Sequence, residues 1–376
     1  MKTAADFLLD LVAIPSVSEM SNQPVLDYVT AALDPRHWSI RTYPYADSSG
    51  TPKANLVAFT RNVSEPHTEL AFVCHSDTVP FEKSWDAAVH PVLQDGRVYG
   101  RGSCDVKGFL ACVLAAVGHI DFEPLAKPVA VIVTADEEVG CVGAKRLAAE
   151  RAFSTRYLVI GEPTGLRPVH AGKGYALATI TVHGKEAHSA FPCAGRSAIF
   201  DAARVLAALE RIAAELRLEQ DRSFDPPFTT LNVGLIEGGT AKNIVPGECR
   251  LIVEWRPLPG TDPSLVSERI RRQLAALQKD VPGLAAELDV MRMDQPFTPS
   301  PSLHLLDLVT AMTRNDAATI AFGSEAAHLR GLAEEVIVFG PGDMETAHKT
   351  GEFVPVSELE SCVACLCKLM DRLVMA

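Results

Sequence analysis

The sequence predicts an α/β protein: a mixed, largely parallel sheet flanked by helices, interrupted by an inserted α+β domain. Three observations carry that prediction. Near-continuous apolar runs at 69–74, 128–134 and 157–160 have the length and composition of strands buried on both faces, as in a parallel sheet. Each run ends in acids or a histidine: His75-Ser-Asp77, Asp136-Glu137-Glu138 and Gly161-Glu162. From about Tyr175 to Arg292 the texture changes to half-buried strands and long amphipathic helices, after which the α/β pattern resumes.

Bulk properties narrow the class. A chain of 376 residues is long enough for two domains with real cores. Its 47% hydrophobic and 22% charged residues are those of a soluble globular protein. A formal net charge of -12 argues against nucleic acid or an anionic membrane as partner. No uninterrupted apolar run approaches the ~20 residues that span a bilayer. Nine cysteines, an odd number scattered among apolar neighbours, fit a reducing compartment, so a cytoplasmic location is expected.

Taken in order, residues 1–33 read as a helix, a turn near Pro15-Ser16 and a second helix from about Gln23. Asp6 and Asp10 interrupt the first helix, so it is not a secretory signal. Strands follow near 40–43, 55–59 and 69–74. In Val98-Tyr-Gly100-Arg-Gly102-Ser-Cys-Asp105 the glycines permit a tight turn, and Asp105 is expected to open an apolar helix over 109–120. The buried strands 128–134 and 157–160 come next.

The inserted segment reads as strand 176–182, helix 197–216, strands 229–236 and 248–254, helix 263–277 and strand 285–292. That β-α-β-β-α-β order is the ferredoxin-like sandwich. The α/β pattern then continues with helix 303–313, a short strand 319–321, helix 325–332, strand 335–339, the Pro341-Gly342 turn and His348. A final helix over 356–375 carries Cys362-Val-Ala-Cys365 beside Leu359, Val363 and Leu366; with no second ligand pair after it, this reads as core packing. The expected domains are 1–174 and 293–376 (metal-binding and catalytic) around 175–292 (lid and dimerisation).

His75, Asp105, Glu138, Glu162 and His348 form a set at strand ends and strand-to-helix turns, where open α/β sheets hold their ligands. Two imidazoles and three carboxylates suit zinc, or cobalt and manganese. One bridging carboxylate, with a histidine and a carboxylate for each ion, makes a two-metal site with ions ~3.5–4 Å apart. Residues two apart on a strand face the same side, so Asp77 can fix the His75 tautomer. The remaining glutamate of the 137–138 pair would carry a proton from water to a leaving amine. Neighbouring residues serve two roles only at a bend, which Gly140 makes plausible.

Five motifs in succession resemble those of the di-zinc amidohydrolase and peptidase family: His75-Ser-Asp-Thr-Val-Pro, Gly102-Ser-Cys-Asp-Val-Lys-Gly, Ala135-Asp-Glu-Glu-Val-Gly, Gly161-Glu-Pro-Thr and Ala347-His-Lys. That family includes acetylornithine deacetylase, succinyl-diaminopimelate desuccinylase, aminoacylase and glutamate-releasing carboxypeptidases. The resemblance implies a di-zinc exopeptidase-like catalytic domain in which Asp105 bridges two divalent ions, His75 and Glu162 hold one, and Glu138 and His348 hold the other. It makes Glu137 the general base and Asp77 the partner of His75. Gly184-Lys-Glu-Ala-His188 resembles the segment whose histidine stabilises the oxyanion in the partner subunit's site, implying a homodimer through the inserted domain. Asn243 and Arg256 resemble the contacts to the substrate carboxylate, which a guanidinium fork suits.

Ala321-Phe-Gly-Ser324-Glu325 and the segment 339–349 are most similar to bacterial acetylornithine deacetylases. They imply hydrolysis of N2-acetyl-L-ornithine to L-ornithine and acetate, a step of arginine biosynthesis, by a metal-bridging hydroxide. Ser324 and Glu325 would lie near the substrate, Glu325 meeting the ornithine ammonium; a glutamate favoured by a helix dipole explains Glu325 equally well. The alternatives are another N-acyl amino acid such as acetylcitrulline or succinyl-diaminopimelate, a dipeptidase or carboxypeptidase on the same site, and a metal-binding protein without activity, against which the intact Glu137 argues.

Overall fold

The structure, a computed structural model, describes residues 2–60 and 67–375; Met1, residues 61–66 and Ala376 lie outside the described residues. The chain divides into two compact units. The first comprises Met1–His170, Pro299–Ala318 and Ser324–Ala376; the second comprises Ala171–Thr298 and Thr319–Gly323.

The first unit opens with α1 (Ala4–Val12), whose start is a capping box: Thr3 accepts the Asp6 N–H while the Asp6 carboxylate accepts the Thr3 N–H. There follow α2 (Gln23–Ala32), β1 (Trp38–Ala46), β2 (Pro52–Thr60), β3 (His67–His75), β4 (Val92–Gln94), β5 (Arg97–Tyr99), α3 (Lys107–Val117), β6 (Val129–Thr134), α4 (Val142–Glu150), β7 (Ser154–Ile160) and β8 (Val169–Gly172). The inserted stretch adds β9 (Tyr175–His183), β10 (Ala187–His188), α5 (Ala198–Leu216), β11 (Thr230–Gly238), β12 (Ile244–Val245), β13 (Glu248–Arg256), α6 (Ser264–Asp280) and β14 (Ala285–Asp294). The return contributes α7 (His304–Thr313), β15 (Ala318–Ile320), α8 (Ala326–Leu329), β16 (Ala333–Val338), β17 (Phe353–Pro355) and α9 (Val356–Leu373).

The main sheet has the order β1-β2-β6-β3-β7-β16-β8-β15. Its centre, β6-β3-β7-β16, is parallel, and β1, β2 and β8 pair antiparallel around it. Burial on both faces explains the apolar runs: every residue of β6 is buried, as are Leu70 to His75 of β3. The register matters most for function. Phe72 lies opposite both Val131 and Val159, and His75 lies opposite Thr134, so β3 and β6 finish level, while β7 ends at Ile160, opposite Val73. Because Val73 is paired with Ile160, His75 and Glu162 stand at equivalent positions beyond it.

Helix α3 is buried along its whole length, against α1, α9 and β3. It begins at Lys107 rather than at the aspartate, with Val106 at the N-cap and no side-chain cap. Asp105 does not serve the helix; its carboxylate turns to two histidines instead. Phe109, fully buried on α3, fills the space beside Gly161: a Cβ there would meet Phe109 Cδ1 at 2.2 Å. Truncating such a ring to alanine typically costs about 3–5 kcal/mol. Cys362 and Cys365 lie in the core on the buried face of α9.

In the second unit the sheet order β11-β13-β9-β14 is antiparallel and matches the ferredoxin-like arrangement expected from the element order. Strand β9 alternates, burying Ala176, Ala178, Ile180 and Val182. Those residues pack with Leu251, Val253 and Trp255 of β13 against Val205, Leu209 and Ile212 of α5 and Ile270 and Leu274 of α6. β11 is an edge strand and leaves Leu235 and Ile236 60% and 51% exposed. Among the described residues, no helix is long and apolar enough to cross a membrane.

Candidate metal centre

The carboxyl-end rim of the sheet brings five side chains to one place. His75 ends β3, Glu138 follows β6, Glu162 follows β7, Asp105 stands before α3 and His348 lies in the loop after β16. Their donor atoms form two triads, His75–Asp105–Glu162 and Asp105–Glu138–His348, each with all atoms within 4.8 Å of one another. Asp105 belongs to both. Its Oδ1 lies 3.1 Å from His75 Nε2 and its Oδ2 3.0 Å from His348 Nε2, while His348 Nε2 lies 3.2 Å from Glu138 Oε2. Two local features allow this. Gly102, at φ +79°, turns the chain before Asp105, and His348 itself adopts φ +61°.

The Glu137-Glu138 turn is held by a second set of contacts. Strand β6 ends at Thr134, and Asp136 takes φ +58°, producing the bend that lets adjacent glutamates do different things. Asp136 is pinned by Lys53 Nζ at 2.9 Å and by the Tyr45 hydroxyl at 2.8 Å. Lys53 also donates to the carbonyls of Ser18 and Met20, at 2.5 and 2.7 Å.

Asp77 accepts the N–H of Glu137 on Oδ1 at 3.0 Å, and on Oδ2 the N–H of Glu138 at 3.3 Å and the Ser18 hydroxyl at 2.7 Å. The expected Asp77–His75 partnership therefore runs through the main chain: His75 Nδ1 lies 3.0 Å from the Asp77 carbonyl oxygen and 3.8 Å from its carboxylate. The half-buried Glu137 receives a further donor from Cys141, whose thiol lies 3.2 Å from Glu137 Oε1.

Burial and mutual charge perturb the titration of the whole cluster. Burial, opposed by the charge of His75 and aided by the neighbouring acids, pushes Glu137 up to about 8 and Glu162 well above the carboxylate range, and burial also raises Glu138. Asp105 is held below its ordinary value because the hydrogen bonds of His348 and His75 outweigh its burial. The same bond, with that of Glu138, pushes His348 up to about 10; His75 is raised by Asp105 against the effect of burial. The protein alone thus gathers carboxylates at a cost and keeps protons on its imidazoles to offset it. Divalent cations fit here, replacing those protons and neutralising the acids.

The remaining expected residues fall into two places. In the first unit, Ser324 and Glu325 are 4% and 1% exposed, and burial pushes Glu325 up to about 7. Glu325 stands before the single-turn α8, so the expected helix over 325–332 is shorter, its last part a 3-10 turn. In the second unit, exposed His188 on β10 pairs with Ile244 of β12, and the N–H of Ser189 donates to the Asn243 carbonyl at 3.0 Å, so His188 and Asn243 share one two-stranded ribbon.

Arg256, at the end of β13, lies 4.6 Å from the Tyr175 ring centre. Sequence reasoning missed its counterpart, Arg292 of β14, 4.7 Å from the same ring. It also missed Cys141 and the Asp136–Lys53–Tyr45 group. Cys141 had a signal, its closeness to the double glutamate; the Asp136 contacts had none, because they join segments distant in sequence.

Comparison with known proteins agrees with this geometry. The profile of Peptidase family M20/M25/M40 matches residues 71–372. An acetylornithine deacetylase of Myxococcus xanthus is 43% identical over 362 residues, covering 96% of this chain and 95% of the relative. Another, of Aliivibrio fischeri, is 32% identical over 326 residues, covering 85% and 84%. Among solved structures, a tripeptidase from Staphylococcus aureus has a TM-score of 0.77 at 23% identity over 98% of both chains. An M20 family metallo-carboxypeptidase from Sulfolobus solfataricus has a TM-score of 0.76 at 18% identity over 98% and 99%. At those identities the structural likeness speaks for the fold, and the sequence relatives carry the chemistry. The protein is a metal-dependent hydrolase of amide bonds and belongs to the peptidase family M20/M25/M40.

Proposed function

We propose that the protein hydrolyses N2-acetyl-L-ornithine to L-ornithine and acetate, supplying arginine synthesis in the cytoplasm. The observation that carries the reading is Asp105, shared by two triads beside Glu137. The names of the sequence relatives support the choice of acyl amino acid.

In this reading His75, Asp105 and Glu162 hold one divalent ion, and Asp105, Glu138 and His348 hold the other. Imidazole and carboxylate donors together favour zinc, with cobalt or manganese as substitutes. When bound, the ions supply Lewis acidity, polarising the scissile carbonyl and acidifying water. Glu137 accepts the proton of the attacking water and delivers it to the departing nitrogen. Its site near the crowded acids gives it the basicity for both transfers, and the Cys141 thiol orients it. Asp77 locks the Glu137-Glu138 turn through two backbone N–H groups, so base and ligand keep separate directions.

His188 stabilises the oxyanion, and acts in the partner subunit's site of a homodimer joined through the second unit; the exposed apolar edge at Leu235 and Ile236 supports that association. Asn243 and Arg256 take the substrate carboxylate. Ser324 and Glu325 line the end that receives the side-chain ammonium, whose charge would keep buried Glu325 ionised. The test is turnover of N2-acetylornithine by the zinc-loaded protein, against acetylcitrulline, succinyl-diaminopimelate, acetylmethionine and a dipeptide. No turnover of acetylornithine with strong turnover of another compound rejects the substrate and keeps the site.

A further inference from the structure

Glu352 lies in the same loop as His348 and is 1% exposed. Its carboxylate accepts three hydrogen bonds, all from the turn that carries Asp105: Arg101 Nη1 at 2.5 Å, the Cys104 N–H at 3.0 Å and the Asp105 N–H at 3.1 Å. The main chain repeats the connection, because the Glu352 carbonyl accepts the Gly100 N–H at 3.1 Å and its own N–H reaches the Lys349 carbonyl at 3.2 Å. Arg101, 4% exposed, is held from its other side with its guanidinium 5.3 Å from the Trp85 ring centre. Beyond Glu352 the chain continues into β17, whose Phe353 pairs with Tyr99 of β5.

A buried ion pair is a poor source of net stability, since desolvation consumes most of the attraction. What this one fixes is register between two segments far apart in sequence. The register matters because the Asp105 carboxylate must reach His75 on one oxygen and His348 on the other, at 3.1 and 3.0 Å. Such a constellation tolerates displacements of only ~0.5 Å before its geometry is lost.

We propose that Glu352, held by Arg101, is the positioning residue that sets the spacing of Asp105 and His348, so that both cation sites depend on a side chain that binds neither ion. The inference rests on the two-cation reading above.

The test uses the full-length chain stripped of metal and titrated with Co2+, followed by visible absorption and calorimetry, after circular dichroism has established that each variant is folded. Wild type is expected to take up two ions. Glu352→Gln is expected to take up two with at least one dissociation constant raised about 10–100-fold, the usual effect of removing a partner of a metal ligand. Its Co2+ spectrum should change, and kcat on acetylornithine should fall with KM held within about twofold.

Arg101→Met should weaken the same step, and the double variant should be no weaker than the worse single one, because the two act as a unit. Wild-type Co2+ constants and spectrum in folded Glu352→Gln overturn the positioning role alone. If Glu352→Gln does not fold, the same result in Arg101→Met or Arg101→Lys overturns it. A wild type that binds fewer than two ions overturns the two-cation reading and this inference together.

Discussion

The two oxygens of Asp77 accept the backbone N–H groups of Glu137 and Glu138, at 3.0 and 3.3 Å. One carboxylate therefore holds the turn that separates the candidate base from a candidate ligand. Asp77→Asn places an amide donor against one of those N–H groups. Hydrogen bonds to a charged group contribute about 1.5–3 kcal/mol, so kcat/KM should fall about 10–100-fold. Two bound ions should remain, as measured by metal analysis of the purified variant.

Glu137→Gln keeps the size of the side chain and removes the proton acceptor proposed above. Loss of a positioned general base costs roughly 10²–10⁴-fold in kcat. Metal content and KM should change little. Substantial activity in a fully metal-loaded Glu137→Gln protein would show that another group takes the proton.

The Cys141 thiol donates to Glu137 at 3.2 Å, and the Cys141 N–H donates to the Glu137 carbonyl at 2.9 Å. Only the first bond depends on the side chain. Cys141→Ala should lower kcat by less than about tenfold, the value of one modest hydrogen bond, while Cys141→Ser, which keeps a donor, should lower it less. Steady-state kinetics on both variants checks the order.

Lys173 tests the second unit through pH. It is 1% exposed, donates to the carbonyls of Pro226 and Phe228 at 2.7 Å each, and burial lowers it to about 8. An unfolded lysine titrates near 10.4. Below about pH 8 both states carry the proton and the group is silent. From there to about 10.4 the unfolded state binds more protons, so this group's contribution to stability rises with pH. The difference in melting temperature between wild type and Lys173→Met should grow in favour of wild type over that interval; a constant difference would refute the shift.

Arg256→Lys removes the planar fork and its stacking on Tyr175. If Arg256 takes the substrate carboxylate, KM should rise about tenfold or more with a smaller change in kcat. A KM equal to wild type would assign the carboxylate contact elsewhere, with Arg292 on the same ring as the next residue to change.

What sequence reading reached, and what it missed, follows from the range of each interaction. The buried strands were legible because burial on both faces forces apolar runs, and the clustering of His75, Glu138 and Glu162 because they sit where those runs end. The second unit was legible from its element order. Asp105 was harder: an aspartate before a helix usually caps it, and only the structure shows it facing His75 and His348 while Val106 takes the N-cap position. The bend between Glu137 and Glu138 was anticipated from Gly140, but much of it lies in Asp136, whose positive φ is sustained by Lys53 and Tyr45 from other strands. Glu352 left no trace in sequence, because its three donors, on Arg101, Cys104 and Asp105, lie far from it along the chain.

The parallel pairing of β7 with β16 joins residues on either side of the whole inserted unit: Tyr157 meets Glu335 and Ile160 meets Val338. On a ribosome, β7 is finished long before its neighbour has been made. Until β16 arrives, that apolar edge has no native strand to pair with, and non-local pairings of this kind close slowly. The emerging polypeptide is therefore most vulnerable to aggregation during the interval when the insertion is being synthesised. His348 and Glu352 come later still, so their contacts with Asp105 can form only after the insertion has been made.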